Sequence, residues 1–191
     1  MPIYDHNETT ATPISMVYDN NGTTATPIGK VYDNNGTTST PIYTSEVVLF
    51  DAGKNVEYTG GWNVAINSGS AVTFIVGQSL KIDQTNYAES TSAKIISKAQ
   101  IAISGASTLK FTYSATKGGN GTFTFGITSV TTDWDVYNTS ANLVKYTRLS
   151  ASGSGTASVN VSGVSGSYYV RFSVFGSTGN STLSVTKIWL E

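Results

Sequence analysis

The sequence predicts an all-β protein: extended 14-residue repeats forming an oligomeric, fibre-like stalk, then an antiparallel β-sandwich of jelly-roll type. Three observations carry this. Apolar and polar residues alternate at a period of two in segment after segment, as in Thr108-Leu109-Lys110-Phe111-Thr112-Tyr113, Thr122-Phe123-Thr124-Phe125-Gly126-Ile127 and Tyr169-Val170-Arg171-Phe172-Ser173-Val174. That is the pattern of strands with one buried face. Clusters such as Gly118-Gly119-Asn120-Gly121 separate these segments as hairpin connections do, and no window shows a 3.6-residue apolar period. Finally, the first 44 residues align on themselves.

The repeats are Ile3 to Met16, Val17 to Lys30 and Val31 to Thr44, three units of 14 residues. Tyr recurs at Tyr4, Tyr18 and Tyr32, Asp at Asp5, Asp19 and Asp33, and a Thr-Pro-Ile triplet at Pro13-Ile14, Pro27-Ile28 and Pro41-Ile42. Such regularity marks an architecture. Each unit reads as a short extended piece, a turn and a second extended piece closed by proline; the turn is Asp-Asn-Asn-Gly in the second and third units, whereas the first lacks the glycine and carries His6, Asn7 and Glu8 there. Lacking an N–H, Pro13, Pro27 and Pro41 belong at strand ends, edges or turns. One unit owns too few apolar side chains to offset a backbone ordering cost of about 1–2 kcal/mol per residue. It is therefore either a disordered tether or a segment that wraps with copies from other chains, burying the Tyr and Ile positions. Apolar residues recurring in register favour wrapping, most naturally in a homotrimer. The repeats, 1–44, thus form a stalk or anchor, and 45–191 the display domain.

Within the second part, strands are expected near 46–50, 57–65, 71–76, 79–83, 94–103, 108–115, 121–128, 145–150, 155–161, 167–176 and 181–190. Many short antiparallel strands over this length argue for two packed sheets.

Composition excludes several functions. Charged residues make up 12% of the chain and the formal net charge is −1, so no basic field exists to hold nucleic acid or an anionic membrane. With no Cys and one His, neither a disulfide framework, a thiolate metal site nor a Ser-His-Asp triad in the sandwich is available. No apolar run approaches the ~20 residues that span a bilayer. Met1-Pro2 opens with no basic and apolar regions of a secretion signal, so none is expected. No cofactor and no metal are expected.

Chemistry is sparse. A glycosidase needs two placed carboxylates, and the few acids of the sandwich make a non-enzymatic reading the first choice. The most distinctive cluster is Asp133-Trp134-Asp135 with Tyr137, which breaks the alternation in what reads as a long loop. Its functional reading is a saccharide platform, with aromatic faces stacked on a sugar and Asp on its hydroxyls, or a calcium site of Asp oxygens. Its structural reading is a Trp folded onto the core with solvated Asp residues. Trp62, after Gly60-Gly61, and Tyr87 are further candidates for sugar contact, although a Trp beginning a strand commonly belongs to the core.

The repeated Val-Tyr-Asp-Asn-Asn-Gly-Thr-Thr-x-Thr-Pro-Ile-Gly-Lys unit resembles the short N-terminal repeats of phage head-fibre and tail-fibre proteins. Gly60-Gly61-Trp62, Ser165 to Phe172 and the closing Val185 to Glu191 resemble the sandwich that follows in them, and carbohydrate-binding modules too. The resemblance implies a trimeric virion appendage or capsid decoration, assembled in the host cytoplasm. It would attach to other virion proteins by its repeats and present the sandwich to host-surface or mucus glycans. The alternatives are a carbohydrate-active enzyme or free carbohydrate-binding module, and a purely structural shell-reinforcing protein.

Overall fold

The structure is a computed structural model. It describes residues 4–7, 10–13, 18–20, 25–27, 30–34, 39–44, 46–54, 56–57, 61–67, 72–76, 79–85, 91–132, 135–136, 139–140, 143–176 and 179–191. Through residue 44, and at 56–57, 91, 135–136 and 139–140, it describes the backbone alone. The chain divides into two compact units, Met1–Val47 with Glu191, and Val48–Leu190.

Each 14-residue repeat folds as one hairpin. β1 (Tyr4–Asn7) pairs with β2 (Thr10–Pro13), β3 (Tyr18–Asn20) with β4 (Ala25–Pro27), and β5 (Lys30–Asn34) with β6 (Ser39–Thr44). The register repeats with the sequence. Tyr4, Tyr18 and Tyr32 lie opposite Pro13, Pro27 and Pro41, and Asp5, Asp19 and Asp33 opposite Thr12, Thr26 and Thr40. Every strand of a two-stranded ladder is an edge, which is where a residue without an N–H can stand.

The second unit is an antiparallel sandwich. Its strands are β7 (Val47–Asp51), β8 (Val56–Glu57), β9 (Trp62–Ile66), β10 (Val72–Ile75), β11 (Leu80–Gln84), β12 (Thr91–Ser97) and β13 (Ile101–Ala102). There follow β14 (Thr108–Thr116), β15 (Thr122–Thr128), β16 (Asp135–Val136), β17 (Thr139–Ser140), β18 (Leu143–Leu149), β19 (Gly153–Asn160), β20 (Ser167–Gly176) and β21 (Ser181–Leu190). Among the described residues one sheet has seven strands, in the order β10-β11-β21-β14-β19 with β7 on β21 and β8 on β7. The other has six, β18-β15-β20-β12-β9 with β13 also on β20. The chain crosses repeatedly between them, as in a jelly roll.

The alternating residues meet between the sheets. Phe111 of one sheet packs against Phe125 and Phe172 of the other with ring centroids 5.2 and 6.4 Å apart, and Tyr113 lies 5.5 Å from Phe125. Leu80, Ile82, Ile95, Leu109, Ile127, Val170, Leu183 and Val185 complete a core wholly shielded from water. Fully burying each such side chain contributes about 1.5–3 kcal/mol.

Two expected strands are each divided. The 57–65 segment holds β8 and β9, which join different sheets. The 94–103 segment holds β12 and β13, because two extra residues stand between the pairs Ile96–Arg171 and Ile101–Tyr168. Ser97 fills the resulting gap in the ladder: its hydroxyl accepts from Val170 N at 3.1 Å and donates to Ala99 O at 2.8 Å. The expected long loop after β15 carries the short hairpin β16–β17.

Candidate functional site

The outer face of the six-stranded sheet gathers polar and cationic residues. Cross-strand register places its residues in rows. One row runs Arg148, Thr124, Ser173, Lys94, Ala65, and the next Tyr146, Gly126, Arg171, Ile96, Asn63. On the opposite, inner face the same strands present Phe123, Phe125, Ile127, Phe172, Val174 and Ile95 to the core. Period two therefore sends polar and cationic residues outward here.

That face has a closed centre and an open edge. Lys94 and Arg171 are 1% and 0% exposed, and Ser173 and Thr124 are buried with them. Part of the cover is the connection from β15 to β18: the Lys94 ammonium donates to Thr131 O at 2.6 Å, and β16 lies beside β20. Arg171 Nη2 donates to Ser173 Oγ at 3.0 Å. A buried ammonium or guanidinium is tolerated only where the protein supplies acceptors that replace water.

At the β18 edge Tyr146 is 49% exposed. It stands opposite Gly126, where a methyl group would lie 2.9 Å from Tyr146 Cβ and collide with Lys145 O. The bare glycine lets β18 approach closely. Arg148, half-buried and on the same face, sets its guanidinium 5.6 Å from the Tyr146 ring centroid and donates from Nε to Thr124 Oγ1 at 3.3 Å. The result is an aromatic ring open to water beside an oriented fork of N–H donors.

Residues singled out from the sequence fare variously. Trp62 is 4% exposed and meets Phe50 edge-on at 6.5 Å, so its ring offers no face to a sugar. This corrects its candidacy, and the reason is that β9 turns residue 62 toward the facing sheet. Its indole N–H is buried and has no acceptor among the described residues. Asp135 opens β16 opposite Ser140, while Asp133, Trp134, Tyr137 and Tyr87 lie outside the described residues. Of the repeat positions, Tyr4, Tyr18, Tyr32, Pro13, Pro27, Pro41 and Ile42 fall on strands, whereas Ile14 and Ile28 lie outside the described residues. Among the described residues no three of His, Asp and Glu converge on one point. Tyr146 and Arg148 escaped the reading of the sequence; the one signal was Gly126, an isolated glycine inside a strand pattern, which marks a close approach of backbone.

No family model and no curated protein matches the chain. Solved structures do match its fold. The family 11 carbohydrate-binding module of Clostridium thermocellum, in complex with a β-1,3-1,4-mixed-linked tetrasaccharide, is 11% identical with a TM-score of 0.50, covering 76% of this chain and 94% of that one. The K3 cleaved adhesin domain of Lys-gingipain from Porphyromonas gingivalis is 14% identical with a TM-score of 0.51, covering 77% and 99%. A family 29 carbohydrate-binding module is 11% identical with a TM-score of 0.47, covering 78% and 92%. At these identities the likeness is one of fold alone: the β-sandwich is shared with the family 11 module and with the adhesin domain.

Proposed function

We propose that the sandwich is a non-catalytic carbohydrate-binding module whose ligand lies on the outer face of the six-stranded sheet, against Tyr146 and Arg148. The observation that carries this is Tyr146, half exposed and paired with Gly126 across the ladder, its ring beside a guanidinium held by Thr124. A sugar ring has an apolar C–H face that stacks on an aromatic and a rim of hydroxyls that take charged donors. The module fold supports the reading. So does the state of two of the described carboxylates: Asp51 Oδ1 accepts from Gly53 N at 3.0 Å, and Asp83 pairs with Lys81 at 3.0 Å, both on the other sheet. Neither is placed to act as acid or base on a ligand at Tyr146.

The test is binding of the full chain to a panel of soluble oligosaccharides by calorimetry, with Tyr146→Ala as the variant. Loss of binding with an unchanged thermal melt is expected. A variant that binds every ligand as tightly as the parent chain defeats the site.

The repeats favour a second element of function. Three hairpins of one register, joined to a binding module, suit an assembly device that presents several modules together, so that weak single contacts add by avidity. Homotrimeric assembly through the repeats, with attachment of a virion fibre or capsid decoration to its particle, is the setting that the repeat sequence suggests. The free binding module needs only the sandwich and stands ahead of it.

A further inference from the structure

We infer that the Tyr146 site takes one sugar unit of its ligand, a terminal or isolated unit rather than a run of sugars along a chain; this rests on the glycan-binding reading above. The ground is the cover over the rest of the face. Register turns Thr124 and Gly126 of β15, Arg171 and Ser173 of β20, and Lys94 and Ile96 of β12 outward, and all six are buried. Ile96 and Phe175 are apolar residues of this face that are buried without belonging to the core between the sheets. Their shielding therefore comes from the outer side. The connection from β15 to β18 supplies part of it: from Thr128 it passes β20 and brings Thr131 O to the Lys94 ammonium on β12, away from β18.

What stays open beside Tyr146 is one strand wide. In the row Tyr146, Gly126, Arg171, Ile96, Asn63 only the two ends are exposed, and with strands about 4.8 Å apart those ends lie about 19 Å from each other. A chain bound across the sheet would have to touch the three residues between them, which are shielded. Along β18 the opening is short as well. Lys145 and Thr147 pair with the core-facing Ile127 and Phe125 and so point to the other side of the sheet, Val144 is the unpaired residue of a bulge, and Arg148, next on the same face, is half-buried. One exposed ring presents one face, and the apolar face of one sugar covers it. Such a contact is weak by itself, which is the case that presenting several modules together serves.

Titration calorimetry on the full chain decides this with four ladders, of β-1,4-linked glucose, mannose, galactose and N-acetylglucosamine, each running from the methyl glycoside of one sugar to the six-unit oligomer. In a ladder that binds, affinity is expected to stay within about threefold along its length, a difference of about 0.7 kcal/mol. Asn63→Ala, at the far end of the row, should bind every member as the parent chain does. A steeper climb with length, while Tyr146→Ala still abolishes binding, means that further sugars find contacts; it overturns the single-unit assignment and leaves the glycan-binding reading standing. An Asn63→Ala variant of unchanged melt that binds the longer members more weakly shows a ligand crossing the face, and overturns the assignment too. No binding of any probe, with the thermal melt intact, sinks both readings together.

Discussion

Gly126 lies directly opposite Tyr146 between β15 and β18, and Tyr146 occupies the space that a side chain at position 126 would need. The contact is with β18 backbone as well as with Tyr146 Cβ, so it cannot be relieved by a rotamer change. Gly126→Ala is therefore expected to push β18 outward and to cost about 1–3 kcal/mol, the usual range for overpacking. For a domain of this size that lowers the melting temperature by a few degrees. Glycan affinity should fall with it, since the Tyr146 ring moves. A variant melting at the parent temperature would mean that β18 is not pinned to β15 in this way.

Trp62 gives the opposite kind of test. Its ring fills the core against Phe50 while its indole N–H is buried with no acceptor among the described residues. Trp62→Phe removes the orphan donor and keeps most of the apolar contact, so it should be close to neutral in stability. Trp62→Ala leaves a cavity and should cost about 3–5 kcal/mol. Chemical denaturation of both variants measures the difference. A Phe variant of full stability that nevertheless loses glycan affinity would return Trp62 to the binding surface.

Much of the sandwich was legible because period two is a strong signal where it is unbroken. Phe111, Phe125 and Phe172 alternate with polar residues in their strands and meet in the core. The pattern misleads where a strand gains a residue. In β21, Tyr113 pairs with Val185 and Thr112 with Lys187, leaving Thr186 as an extra residue. That bulge reverses the alternation, so Ile188 and Leu190 point inward and Trp189 outward. Trp189 is covered there by lysines rather than by core, with the Lys187 ammonium 4.4 Å and the Lys110 ammonium 5.9 Å from its ring centroid. The site was less legible for another reason. A residue such as Arg148 becomes informative only once Thr124 and Tyr146 are its neighbours, and neighbours across a ladder are set by register, which composition does not fix.

Lys94 fastens the connection from β15 to β18. Its ammonium donates to Thr131 O at 2.6 Å from a position 1% exposed. Lys94→Met keeps the stem and removes the donor, so Thr131 O loses a charge-assisted hydrogen bond of about 1.5–3 kcal/mol. The local consequence is the clearer one: amide exchange at Ser129 to Thr132 should accelerate, while the core strands β14 and β20 stay protected. Unchanged exchange in that stretch would show that this bond does not hold the connection down.

The hairpin repeats pose the last question, which is energetic. An isolated two-stranded hairpin is marginal in water, yet all three repeats adopt the same register, with Tyr opposite Pro each time. Their order is explained if apolar positions recurring every 14 residues are buried against the same positions of other copies. Light scattering on the full chain beside a chain beginning at Ser45 measures this. A trimeric mass for the full chain and a monomeric mass for the shorter one are expected. Equal monomeric masses would remove the assembly role of the repeats and, with it, the avidity that a weakly binding sandwich draws from them.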